Sequence, residues 1–138
     1  MFVNSRLEWQ EWLRNGDQYL KAATPRGKTS RFRPEIQYNL LALSLEGYIM
    51  AILGFHNSLP FNHTFTDLLD GLETLIPVDK DLKARILKYE NIQSICSIEK
   101  YARQQPSRAD LADLKDAVTR IGQMAHELCA APSEAVTA

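Results

Sequence analysis

The stretch Pro34-Glu-Ile-Gln-Tyr-Asn-Leu-Leu-Ala-Leu-Ser-Leu-Glu-Gly-Tyr-Ile-Met-Ala-Ile-Leu-Gly-Phe-His56 decides the fold. Its apolar residues Ile36, Leu40, Leu41, Leu43, Leu45, Tyr48, Ile49, Ile52, Leu53 and Phe55 recur at helical spacing and cover most of the circumference. A helix that is apolar nearly all round is a central one, contacted on several sides. Pro34 suits its first turn, where the missing N–H costs nothing. At 1.5 Å per residue the helix would be about 33 Å long. Within it the most apolar run, Leu40 to Phe55, carries Ser44 and Glu46 and falls short of the ~20 residues a bilayer span needs.

On its N-terminal side lies Thr24-Pro-Arg-Gly-Lys-Thr-Ser-Arg-Phe-Arg33, a loop whose Arg26, Lys28, Arg31 and Arg33 meet no acidic residue. Such a loop, beside the start of a helix, is able to hold a phosphate. Gly27-Lys28-Thr29 is not a P-loop, because the leading glycine would fall on Ala22 and no strand precedes it. Before the loop, Ser5 to Ala23 places Trp9, Leu13, Gly16, Leu20 and Ala23 on one face with Trp12 beside them, and Thr24-Pro25 ends that helix.

On the C-terminal side, Asn57 to Asn62 is a loop containing Pro60. A short third helix, Thr64 to Leu75, carries Phe65, Leu68, Leu69 and Leu72, and Pro77 closes it. Asp79 suits the N-cap of a fourth helix, whose stripe Leu82, Ile86, Tyr89, Ile92 and Cys96 is expected to continue to about Tyr101. After Pro106, the pair Ser107 and Asp110 makes a capping-box-like start for the last helix. There Leu111, Leu114, Val118, Ile121, Ala125 and Leu128 form one buried seam, opposite Asp113, Asp116, Arg120, Gln123 and Glu127. The small, polar tail from Pro132 to Ala138 is expected to fray, leaving residues 1–131 as one domain. The class is all-α, an up-and-down bundle of four to five helices.

With 138 residues, 45% of them apolar, the chain holds one core and not two. Sixteen basic against seventeen acidic residues give a net charge of −1, so the molecule as a whole does not draw in polyanions. Cys96 and Cys129 lack ligand or redox spacing, and no signal-peptide pattern opens the sequence, so a reduced, cytoplasmic protein is expected. His56, His63 and Asp67 match no metal-ligand spacing, and no cofactor is implied.

Two elements together resemble a known family. The central helix, with Tyr38, Leu41 and Leu45-Glu46-Gly47-Tyr48-Ile49-Met50-Ala51-Ile52-Leu53, is followed by a turn and by His63-Thr-Phe65-Thr-Asp-Leu68-Leu69. This is similar to the HEPN (higher eukaryote and prokaryote nucleotide-binding) domain, in which a helix of the type A-x-E-x-x-L-K-A-L-L precedes H-x-L-x-x-L-L. Tyr101-Ala-Arg103-Gln-Gln-Pro106 is similar to the family's Tyr-x-x-Arg-Tyr-Pro element, with one residue inserted and the second tyrosine missing. The lysine usual in the central helix is also absent, with Ile49 or Met50 in its region. The likeness spans about residues 35 to 130.

The resemblance implies a HEPN-like bundle, often a homodimer, that binds a nucleotide or works beside a separate nucleotidyltransferase. It also implies that Tyr101, Arg103 and His63, with Asp67 one turn on, lie near a ligand groove. Separately, the charge pattern of the basic loop offers Arg31 and Arg33 as further phosphate contacts. His63 would otherwise cap or brace the third helix. Other branches are metal-independent ribonucleases of toxin–antitoxin systems that use R-x4-6-H, and Arg120-Ile-Gly-Gln-Met-Ala-His126 is a literal match. There histidine would act as general acid or base and arginine would hold the developing charge. Six residues on a helix turn the side chains about 120° apart, so Arg120 and His126 are expected on opposite flanks of the seam. A non-catalytic binding module is the reading favoured by the sequence, with the ribonuclease as its alternative.

Overall fold

The computed structural model describes residues 5–24, 33–58, 60, 62–90 and 106–137, with residues 5–7 and 130–137 described by backbone alone. Among the described residues it is all-helical: α1 (Ser5–Ala23), α2 (Pro34–Phe55), α3 (Phe65–Glu73), α4 (Lys80–Lys88) and α5 (Arg108–Thr137). The fold is therefore all-α, as the periodicity requires.

α2 is the centre of the core. Tyr38, Leu41, Leu45, Ile49, Ile52 and Leu53 are all fully buried along it. It is long and apolar enough to cross a membrane by length and composition, but most of that apolar window is buried against the protein's own helices. α1 runs antiparallel to it: Trp9 meets the Phe55 ring edge-on at 5.1 Å, Ser44 donates to the Gly16 carbonyl at 2.6 Å, and Gln37 donates to the Ala23 carbonyl at 3.0 Å. The two backbones touch where glycine faces glycine. A Cβ on Gly47 would come within 2.8 Å of the Gly16 nitrogen and the Trp12 carbonyl oxygen. α5 runs parallel to α2, with Gly122 beside Tyr48 and the Cys129 thiol 3.8 Å from the Ala51 carbonyl.

The helix starts are built from caps. Thr64 accepts from the Asp67 amide and Asp79 from the Leu82 amide. Ser107 and Asp110 form a reciprocal box, each side chain accepting from the other's amide at 3.0 and 3.1 Å.

Two boundaries differ from the sequence reading. α4 ends at Lys88 with Tyr89 as its C-cap, and the stretch expected to carry it on to Tyr101 begins to lie outside the described residues at 91. The end is held from outside: Tyr38 donates to the Tyr89 carbonyl at 2.8 Å, and the Glu90 carboxylate accepts from the Thr66 amide at 3.0 Å, in the first turn of α3. At the other end of the chain, α5 continues to Thr137, past Pro132 where fraying was expected.

Candidate functional site

One polar cluster joins α1, α2 and α5 around Tyr48, a residue the sequence places among the apolar positions of the central helix. The Tyr48 ring is clamped between two glycines. A Cβ on Gly16 would meet one edge of it at 2.7 Å, and a Cβ on Gly122 would meet the other at 2.7 Å. Any side chain at either position would push a helix away, so glycine here serves close approach. The phenol reaches past the slot at its tip. There its hydroxyl donates to Asp17 Oδ1 at 2.6 Å, while His126 donates through Nε2 to the same carboxylate at 2.9 and 3.0 Å. The His126 ring also meets the Tyr48 ring edge-on at 6.3 Å. Burial, then the adjacent Asp17 carboxylate, pushes the Tyr48 phenol well above its ordinary value, so it stays a hydrogen-bond donor. Asp17 and His126 are each about half exposed, at 45% and 53% of the side chain.

A second cluster ties α4 to α5. Arg85 donates to Asp113 at 2.8 Å and to Asp116 at 2.9 Å, and Tyr89 donates to Asp113 Oδ2 at 2.6 Å. The Tyr89 hydroxyl and then Arg85 hold the Asp113 carboxyl below its usual range, while burial and Asp113 push the Tyr89 phenol up. Asp113 and Asp116 are thus engaged with α4, where the sequence pattern set them on the far side of the helix.

The two clusters fix the geometry of Arg120 and His126. His126 lies on the α1 flank of α5, whereas Arg120, exposed, follows Asp113 and Asp116 around the α4 flank. The fold does not bring the pair together within one chain, in line with the helical geometry.

His63 does not cap α3, since Thr64 does so. His63 instead reaches back across the loop to bond Glu46 on α2, with the Trp12 ring edge-on at 6.1 Å. The cap was open to Thr64 because its short side chain places the hydroxyl within 3.1 Å of the Asp67 amide. Asp67 also accepts from the Thr64 hydroxyl at 3.0 Å, so both groups are engaged in helix bracing. His56 bonds the Ile52 carbonyl at 2.8 Å, apart from His63 and Asp67. Arg33 extends into solvent, 82% exposed, with Glu35 at 3.9 Å. Arg26, Lys28, Arg31, Tyr101 and Arg103 lie outside the described residues.

Sequence reading missed Asp17 and the role of Gly122. The signal was present: Gly16, Gly47 and Gly122 are helix-interior glycines, each costly unless a neighbour needs the space. No protein-family model, curated protein or solved structure matches the chain.

Proposed function

We propose that the chain is a HEPN-like helical module that acts by association and not by catalysis. It would be a cytoplasmic homodimer that binds a nucleotide or RNA, or that partners a nucleotidyltransferase. One observation carries the non-catalytic part: Arg120 and His126 sit on opposite flanks of α5, and the imidazole is engaged by Asp17 as part of a helix brace. The sequence order supports the HEPN-like part, and so does the burial of Phe65, Leu68 and Leu69 of the second motif against α2. Fold resemblance alone does not assign an activity.

The ribonuclease reading draws support from a specific feature. His126 is half exposed and is oriented by a carboxylate through Nε2, an arrangement that leaves Nδ1 as the free basic nitrogen. A second copy supplying Arg120 across a two-fold axis would complete the pair.

The two readings separate in one experiment on the full chain. Labelled RNA is incubated with the wild type and with His126→Ala, and melting is followed with and without ATP, GTP and CTP. The binding reading expects intact RNA with both proteins and a higher melting temperature with at least one nucleotide. Cleavage by the wild type that His126→Ala abolishes would overturn it in favour of the enzyme.

A further inference from the structure

Three sides of α2 are covered. Ser44 and Gly47 face α1, Tyr48 faces α5, and Leu53 lies against Gly71 of α3. Turning 100° per residue, the fourth side carries Ile36, Asn39, Leu43 and Glu46. Here the otherwise buried helix opens to solvent. Ile36 at 42% and Leu43 at 40% are the large hydrophobic residues exposed among the described ones, and Leu40 at the edge of the strip is half buried. α1 extends the surface with two half-buried aromatics one heptad apart, Trp12 and Tyr19, and the Trp12–His63–Glu46 contacts fix that flank.

We infer that this face binds a second copy of the chain, with the two α2 helices packed antiparallel about a two-fold axis between residues 39 and 40. This rests on the binding-module reading and names where its partner docks. The strip is self-complementary in that register. Ile36 of one copy lies opposite Leu43 of the other, Leu40 opposite Asn39, and Arg33 opposite Glu46. The charges at the two ends are therefore opposite, and both pairs repeat by symmetry, as an isologous interface demands. Arg33 is available for this, being 82% exposed with its Glu35 contact stretched to 3.9 Å. Glu46 keeps one-fifth of its side chain in solvent beyond its bond to His63. A single helix pair buries less than the roughly 1,200 Å² of a stable dimer, and Trp12 and Tyr19 supply the added width, as aromatic residues commonly do in interface cores.

The test is sedimentation velocity on the full chain from about 1 µM to about 200 µM, where mass action reveals a weak dimer. The wild type is expected to dimerise, and Leu43→Asp to weaken the dimer at least about tenfold with unchanged helicity. Arg33→Glu and Glu46→Arg should each weaken it several-fold, and the double reversal should restore it. Arg33 is solvent-exposed, so its reversal reads the interface even if Leu43→Asp disturbs folding. A wild type that stays monomeric throughout overturns the inference. So does a dimer untouched by both Leu43→Asp and Arg33→Glu; the binding module would then stand, with its interface elsewhere.

Discussion

The Tyr48 side and the Ile36–Leu43 side of α2 belong to one helix and are made of the same kinds of residue, yet they differ in almost every physical respect. On the Tyr48 side two glycines bring α1 and α5 into contact with the ring, and its hydroxyl ends on a carboxylate shared with His126. On the other side Ile36 and Leu43 meet solvent. Amino-acid type does not separate the two; what separates them is whether a neighbouring helix has been given room to approach. The closed side holds the fold, and the open side is the one to which we assign association.

The largest effect should come from closing that room. Gly47→Ala places a methyl group against backbone atoms of α1 at 2.8 Å, and backbone cannot rotate aside. It should cost about 3 kcal/mol in urea unfolding, at the upper end of overpacking losses. Gly122→Ala presses on the Tyr48 ring, which is clamped on its other edge, and should cost slightly less. Next comes Tyr48→Phe, which removes the hydrogen bond to Asp17 and keeps the ring. A loss of about 1.5 kcal/mol is expected, the usual size for a bond to a charged group. If Tyr48→Phe were neutral, the Asp17–His126 brace would be incidental to the closed side.

The same phenol gives a pH signature. Tyr48 and Tyr89 are raised above the ordinary 10.0 in the folded state, so the unfolded chain ionises first. Their contribution is therefore intact below pH 10 and is lost as pH rises above it towards the folded values. Urea midpoints taken across the alkaline range should fall in the wild type and fall less in Tyr48→Phe. A kinetic probe bears on the buried end of α5. Burial pushes the Cys129 thiol up to about 11, and its sulfur faces the Ala51 carbonyl. In a Cys96→Ser background, native Cys129 should react with a thiol reagent at pH 8 at least about a hundredfold more slowly than after unfolding.

How much of this was legible in the sequence follows the same division. The all-round apolarity of residues 34–56 set α2 at the centre, and the caps at Asp79 and Ser107 lie where carboxylate and hydroxyl spacing puts them, whereas α3 is capped by Thr64 and not by His63. These are local or periodic properties. The Tyr48 clamp was not legible, because it joins residues 16, 17, 48, 122 and 126 across three helices, and no periodicity within one helix reports which glycine meets which ring. Asp113 and Asp116 were misread for a related reason. A carboxylate opposite an apolar seam looks solvated until a second helix brings an arginine to it. Ile36 and Leu43 were read as core because apolarity signals that a face will be covered, without saying by what.

The smallest effect on the isolated fold should come from the open side, where Ile36→Asp combined with Leu43→Asp changes side chains already 42% and 40% exposed and so removes only part of their packing within one chain. The direct test of the comparison is the dependence of melting temperature on protein concentration, for the wild type and for this double variant. The wild type should melt higher as concentration rises, because a dimer stabilises the folded state by mass action. The variant should lose that dependence and melt at one temperature across the whole concentration range. A variant that keeps the concentration dependence would contradict the assignment of association to this side of α2.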